Sequence, residues 1–452
     1  MAGLNGIMDS SLSALLAAQL GMATTSHNIS NSATRGYTRQ DLMLSARRPS
    51  VMGYGSLGTG VEVLGIRRVQ DQLLLGNLRN QNARLGSFDV VDQTLREIEG
   101  LLGSVDNDHI GNALANFFES WNDLAQPPFN EALKVGVVQA AETLVAEFRN
   151  MDASLRDLER DLASRVAAEV QELNRLLGEV GELNGQIILA EAGGGSANDL
   201  RDRRDLVINQ ISSIAALTTR ERDDGSLDLV IAGRTMVSRD RVTLFEDSVT
   251  VQGSGFTVGV VTAGNQQQVS LSPGRLEGLL TAQRDHVTRL RNQLDDVATQ
   301  LVDQVNELHS LGQSAVGGRV FFTGSTLEDI AVNQALVTDP GLVAIGRSGL
   351  SGDNELALAI AALGDNAAGR VSVGEAYRGV ITEVAGDSGN VAFLLESQEG
   401  VVASLEARMA SVSGVSLDEE GARLVQYQNS YNAAAKVIQT VQEMYDTLLG
   451  MV

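Results

Sequence analysis

The 452-residue sequence contains no cysteine, so disulfides and thiolate metal sites are excluded outright. It has five prolines (Pro49, Pro127, Pro128, Pro273 and Pro340), and none falls in the helical patterns described below, which leaves those helices free to run unbroken. Aromatic residues make up only 4%, with a single tryptophan. That supply suits long helices packed by Leu, Val and Ala better than a compact enzyme core. Lysine is nearly absent (Lys134 and Lys436), which reads as genomic base composition. No apolar run approaches the ~18 residues that suggest a membrane span. The opening MAGLNGIMDSSLSALL lacks a basic n-region and runs into a patterned helix, so no cleaved secretory signal is expected.

Catalytic chemistry is missing as well. Of the four histidines, none pairs with another at i,i+4, and HExxH is absent. His286, beside Asp285, and His309, near Glu307, are expected on the solvated face of a helix. Gly53-Tyr-Gly-Ser-Leu-Gly58 matches GxGxxG, but strand-like Val61-Glu-Val63 follows where a helix would have to begin, so no nucleotide site is expected. Neither GxxxxGK[ST] nor GxSxG occurs. The run Asp199-Leu-Arg-Asp-Arg-Arg-Asp205 has the spacing of a ladder of ion pairs within one helix. No catalytic residue, cofactor or metal is expected, and a hidden hydrolase is a remote alternative.

Charge is of one sign. The net −23 argues against nucleic acid or an anionic membrane as partner. The ends differ: residues 1–68 carry six arginines against three acids, a net +3, and residues 415–452 carry two cations against five acids, a net −3. Opposite ends can attract each other within or between subunits.

What is present is helical periodicity, in a chain 43% hydrophobic. Residues 4–32 read as one amphipathic helix, with Met8, Leu15, Met22 and Ile29 seven apart and Leu4, Ser11, Ala18 and Thr25 on a companion seam small enough to admit a close neighbour. Short helices are expected at 88–102 and 110–125. A long one covers about 133–190: Val137, Leu144, Met151 and Leu158 form one series and Ala141, Phe148, Leu155 and Leu162 its partner. Val166, Leu173, Val180 and Ile187 continue after an extra step of four, the mark of a stutter. Gly178, Gly181 and Gly185 predict a kink or break there. A helix over 199–217 follows the turn at 192–199. Residues 226–271 alternate as strands (Leu227, Leu229, Ile231) and predict a small β domain closed by Pro273-Gly274. Helices at 275–311, 354–363 and about 390–412 flank a loop-and-strand stretch at 313–350.

The last segment is the most regular. Ser416-Leu-Asp-Glu419 is a capping box with acids in the first turn. Leu424, Tyr431, Ile438 and Tyr445 then recur every seven residues, as do Tyr427, Ala434, Val441 and Leu448. A lone amphipathic helix of this kind cannot offset its ordering entropy, so it must dock or stay largely disordered. Pattern alone leaves two outcomes open: the ends close one domain of a monomer, or they order within an assembly.

SHNISNSATRGYTRQ (26–40) resembles the signature near the start of flagellar rod, hook and hook-associated proteins, where a helix ends in an Asn-Ile-x-Asn turn followed by Gly-Tyr. GTGVEVLGIRR (58–68) is similar to the segment after it, and residues 413–449 to the C-terminal helix of the same superfamily. NDLRDRRDLVINQIS (198–212), RVFFTG (319–324) and DIAVNQALVTDP (329–340) resemble blocks of hook-associated proteins of the first type. Hook protein and hook-associated protein 3 are the nearest alternatives, and an unrelated coiled-coil binding module is a further one. In larger relatives an outer domain separates the last two blocks; here only Ser325 to Glu328 does. Gly421 stands where a bulkier residue is common and is expected to loosen the first helical turn.

The resemblance implies a mainly α fold with a small β domain: a long coiled-coil-like rod plus terminal helices that pair on assembly. The expected divisions are 1–85 (N-terminal axial helix and linker), 86–218 (rod, first part), 219–275 (outer β domain), 276–412 (rod, second part) and 413–452 (C-terminal axial helix), with both ends flexible in the monomer. It implies a non-enzymatic subunit of the bacterial flagellum between hook and filament, exported by the flagellar type III system. The implied partners are further copies of itself, hook protein, hook-associated protein 3, and a cytoplasmic export chaperone with its export apparatus. The residues implied in assembly are Met8, Leu15, Met22, Ile29, Asn28, Asn31, Gly36 and Tyr37 at one end. At the other they are Leu424, Tyr427, Tyr431, Ile438, Val441, Tyr445 and Leu448.

Overall fold

A computed structural model describes residues 2–52, 55–103, 109–126, 130–252, 255–262, 265–312, 319–348, 350, 352–364 and 371–450. Gly53 and Tyr54 of the GxGxxG match, Pro127 and Pro128, and residues 313–318 of the loop-and-strand stretch lie outside them. Helix α1 (Ala2–Ser30) turns into a ribbon of β1 (Gln40–Ala46) and β4 (Val61–Arg68), tipped by the hairpin β2 (Ser50–Met52) and β3 (Gly55–Leu57). The β1–β4 register runs from Gln40 opposite Arg68 to Ala46 opposite Val61, with a bulge after Met43.

Helices α2 (Gln72–Leu102), α3 (His109–Ala125), α4 (Glu131–Glu191) and α5 (Asn198–Ile214) follow. An antiparallel meander comes next: β5 (Leu217–Glu221), β6 (Leu227–Ile231), β7 (Arg234–Ser238) and β8 (Arg241–Val242) in one sheet, then β9 (Phe245–Gln252), β10 (Gly255–Thr262) and β11 (Asn265–Gln268) in another. The chain returns through α6 (Arg275–Thr281), a π-helical stretch (Ala282–Val287) and α7 (Thr288–His309). The small ribbon β12 (Phe322–Thr323) and β13 (Ala331–Val332), then α8 (Gln334–Thr338) and α9 (Glu355–Ala361), lead to α10 (Val373–Ser413) and α11 (Leu417–Leu449). The fold is mainly α with a small β domain, as the sequence predicts.

All twelve residues of the α4 stripe are buried, and all but Ile187 belong to one continuous core. The step of four coincides with a change of partner. Before it, Asp152 pairs with Arg291 of α7 at 2.8 Å. After it, Asn174 and Asn184 bond the meander's backbone: Asn174 exchanges 2.8 Å bonds with Phe245, and Asn184 accepts from Leu227 N–H and donates to the carbonyls of Leu227 and Arg239.

Several expectations are corrected. Helix α4 does not break at its glycines. Gly181 instead lets the meander approach, since a Cβ there would lie 2.7 Å from Val242 and 3.3 Å from the Asp240 carbonyl. The helix expected at 88–102 begins at Gln72, where Asp71 caps it by accepting from the N–H groups of Leu73 and Leu74, both at 3.0 Å. The helix expected at 390–412 begins at Val373. The two helix-borne histidines do not face solvent. His309 is fully buried because residues 319–321 fold back over the end of α7: its ring meets Trp121 and Phe321 edge-on, Nδ1–H donates to the Arg319 carbonyl at 2.7 Å, and Nε2 accepts from Ala344 N–H at 3.0 Å. His286 is largely covered by α10, with Nδ1 3.4 Å from Asp387.

Candidate functional site

The two ends of the chain meet. Helix α11 packs along α1, and α1 packs in addition on the β1–β4 ribbon. The companion seam of α1 forms the centre of this contact: Ser11, Ala18 and Thr25 are buried, while Met8, Leu15, Met22 and Ile29 flank it half-buried. On α11, Glu420, Ala434 and Val441 are buried, and Leu424, Tyr427, Tyr431, Ile438 and Tyr445 are half-buried; Leu448 stays exposed. Gly21 admits the Tyr427 ring so closely that a Cβ would lie 2.5 Å from it. At the far end the Tyr445 hydroxyl bonds Asn5. Charges also pair across the termini, Arg39–Glu419 at 3.1 Å in the sense of the opposite net charges and Arg423–Asp41 at 3.6 Å in the reverse sense.

Asn28 ties these elements together. Its amide is 1% exposed and uses its full bonding capacity. Nδ2 donates to the Gln40 carbonyl and to Glu420 Oε2, both at 2.9 Å. Oδ1 accepts from the Tyr37 hydroxyl at 2.7 Å and from Gln40 N–H at 2.9 Å. One side chain thus joins the end of α1, the Gly-Tyr turn, β1 and the start of α11. Asn31 closes the turn, donating to the His27 carbonyl at 3.0 Å and accepting from Thr34 Oγ1 at 3.2 Å. Gly36, at φ +81°, reverses the chain against Leu206. Burial, then the charges of Asp199, Asp202 and Glu420, push the Tyr37 hydroxyl pKa well above its ordinary value, so it stays a donor. Ser416 Oγ accepts from Glu419 N–H at 3.5 Å, as the capping box predicts.

Helix α5 is the seat for this junction, and here the ion-pair ladder expected of Asp199–Asp205 is wrong. Among the described residues, the ion pairs of the run leave the helix. Its Asn198, Asp199, Asp202, Asp205 and Asn209 face the terminal arm. Asp202 accepts from Thr38 N–H at 2.9 Å and from Arg68 at 2.9 Å. Asp205 accepts from Arg68 at 2.6 Å and Arg79 at 3.0 Å, and Arg79 also donates to Asn209. Gln40 donates to Asp199, and Asn198 donates to Gln40 and to the Ile66 carbonyl. The other face holds the meander: Arg204 donates to Asn184 and the Gly225 carbonyl, and Arg201 pairs with Glu191 and Glu221. Burial raises the Asp205 carboxyl, but the Arg68 and Arg79 charges outweigh it and hold its pKa below the usual carboxylate range. Asp202, where burial dominates, is shifted upward.

Beyond the predicted residues, α1 carries an outward stripe that the seven-residue reading passes over. Leu12, Leu16 and Leu20 stay exposed by 47%, 50% and 41%, with Leu20 beside Ile66 of the ribbon. Their i,i+4,i+8 spacing is a 3.6-residue signal that would have found them. The outward face of α11 is instead mostly polar, with Gln428, Asn432, Lys436, Gln439 and Glu443 exposed around Val425, itself 54% exposed. Among the described residues no cluster of potential metal ligands occurs, and no helix is long and apolar enough to cross a membrane.

The flagellar hook-associated protein FlgK helical-domain model matches residues 95–322, and the flagellar basal body rod FlgEFG C-terminal model matches residues 407–451. The flagellar hook-associated protein 1 of Bacillus subtilis is 25% identical, over 97% of this chain and 96% of the relative. Its namesake in Escherichia coli is 24% identical, over 99% and 100%. That second alignment runs to 547 positions against the 452 residues here, so the relative has segments without a counterpart in this chain. The solved structure of the flagellar hook junction protein FlgK from Burkholderia pseudomallei shares the fold, with a TM-score of 0.62 at 13% identity, over 75% of this chain and all of that one. From helices α3 to α7 to the terminal helix α11, the chain therefore belongs to the flagellar hook-associated protein FlgK family, and it is a structural component of the flagellum, not an enzyme.

Proposed function

We propose that the chain forms the junction between hook and filament, and that it does so by self-assembly through α1 and α11. The observation that carries this reading is the apolar surface left on the paired helices. Leu12, Leu16 and Leu20 of α1, with Val437, Met444 and Leu448 along the flank of α11, remain exposed after the two helices have met. Burying such a stripe against sibling molecules supplies what a two-helix pair lacks alone. The polar outward face of α11 suits a surface that stays wet in the assembly.

In this reading both end segments stay unfolded through export by the flagellar type III apparatus, with a cytoplasmic chaperone on the C-terminal segment, and order when a copy joins. Neighbours are further copies, hook protein on one side and hook-associated protein 3 on the other. The buried seam residues and the Asn28 junction then set the angle between the axial helices and the rod. Removing residues 413–452 tests this: the core folds and stays soluble but no longer joins filament to hook. Filament growth from the truncated chain would falsify the proposal.

A further inference from the structure

The ribbon between α1 and the core carries a charge that its own chain does not answer. Residues 35–68 hold six arginines against Asp41 and Glu62, a net +4 in a chain of −23, so the remainder carries −27. Arg39 and Arg68 are paired with Glu419 and with Asp202 and Asp205. Arg35, Arg47, Arg48 and Arg67 are exposed and form no ion pair with a described residue. Leu44, Leu57 and Leu64 stand exposed on the same ribbon. A basic, partly apolar projection on a strongly acidic protein is complementary to the protein itself.

We propose that this ribbon docks on the acidic surface of a second copy of the chain, the next subunit along the assembly; the proposal rests on the self-assembly reading above. Its mate is the flank of α10 that carries Glu396, Glu399 and Glu406. All three are exposed and without an ion pair to a described residue. Ribbon and flank are different surfaces of one chain. In the proposed contact the ribbon of one copy lies on the flank of the next, a head-to-tail arrangement that repeats from copy to copy and builds a ring or helix. Leu44 and Leu57 add apolar contact that salt does not screen, whereas the arginine contacts weaken as ionic strength rises.

The absence of cysteine gives a clean test. Full-length chain carrying Arg48→Cys and Glu399→Cys is incorporated into flagella, and detached hook–filament particles are mildly oxidised. The expected result is a ladder at multiples of 47.9 kDa on a non-reducing gel. Particles that keep their filaments but yield only the single-chain band overturn the docking while leaving the self-assembly reading intact, as does a cross-link to a protein of another mass. If the cysteine pair itself blocks filaments, the charge swap decides. Arg47→Glu with Arg48→Glu should lower the number of filament-bearing cells about tenfold, and adding Glu396→Arg with Glu399→Arg should restore it. Charge reversal without effect, or loss that the second pair leaves unrestored, overturns the proposal.

Discussion

At the scale of single residues, the weight falls on polar side chains that complete a neighbour's backbone. Asn28→Ala removes four hydrogen bonds and leaves Gln40 N–H and the buried Glu420 carboxylate short of partners, at roughly 1–3 kcal/mol for each orphaned group. On the proposed reading, in which the junction orders on assembly, filaments on such flagella should detach at a lower temperature than normal, while melting of the free chain's core is unchanged. Tyr37→Phe removes one donor and should lower the detachment temperature less. Buried histidine gives the core its own pH response. Burial holds the His309 pKa below its usual 6.5, with Lys134 acting in the same direction, so the unfolded chain takes up the proton first. Stability is complete above about pH 6.5 and falls as acid approaches the folded-state value. The urea midpoint should drop between pH 7 and 5.5, and His309→Gln should flatten that drop; an equal slope in both proteins would remove His309 from the account. These roles were not legible in the sequence. The Glu420 that Asn28 binds lies 392 positions away, and a histidine late on a helix gives no sign that a later loop will cover it.

At the scale of elements, what could be read was periodicity, and what could not was the partner. The α4 stripe was legible to the residue because one face of a long helix must be buried whatever covers it. The Asp199–Asp205 run was misread because i,i+3 and i,i+4 spacing is the same whether the charges meet each other or reach for Arg68 and Arg79. The α4 glycines were misread for a related reason: glycine that weakens a free helix is kept where another element comes close. Their differing surroundings make a prediction. Gly181→Val should push the meander from α4 and cost about 1–3 kcal/mol. Gly178→Ala and Gly185→Ala, each facing open space, should stabilise the free chain by about 0.5–1 kcal/mol apiece. Urea unfolding of the three variants checks both signs. The leucine stripe of α1 escaped notice because both seven-residue seams run through other positions, while Leu12, Leu16 and Leu20 recur every four.

At the scale of the whole molecule, one chain combines a core that needs no help with ends that need each other. Helices α2 to α10 and the meander share a continuous buried interior, whereas α11 is packed on α1 and α1 on a two-stranded ribbon. The sites that join the parts are charged: α5 holds the arm by Asp202 and Asp205, and the meander by Arg201 to Glu221 and Arg204 to the Gly225 carbonyl. On the proposed reading, a subunit built this way travels with loose ends and becomes stiff on arrival. Amide hydrogen exchange, followed on the dilute free chain and on detached hook–filament particles, tests this most directly. The account predicts that residues 2–30 and 417–449 of the free chain exchange within seconds while α4 stays protected, and that the same end segments become protected in the particles. End segments as slow to exchange as α4 in the free chain would contradict it.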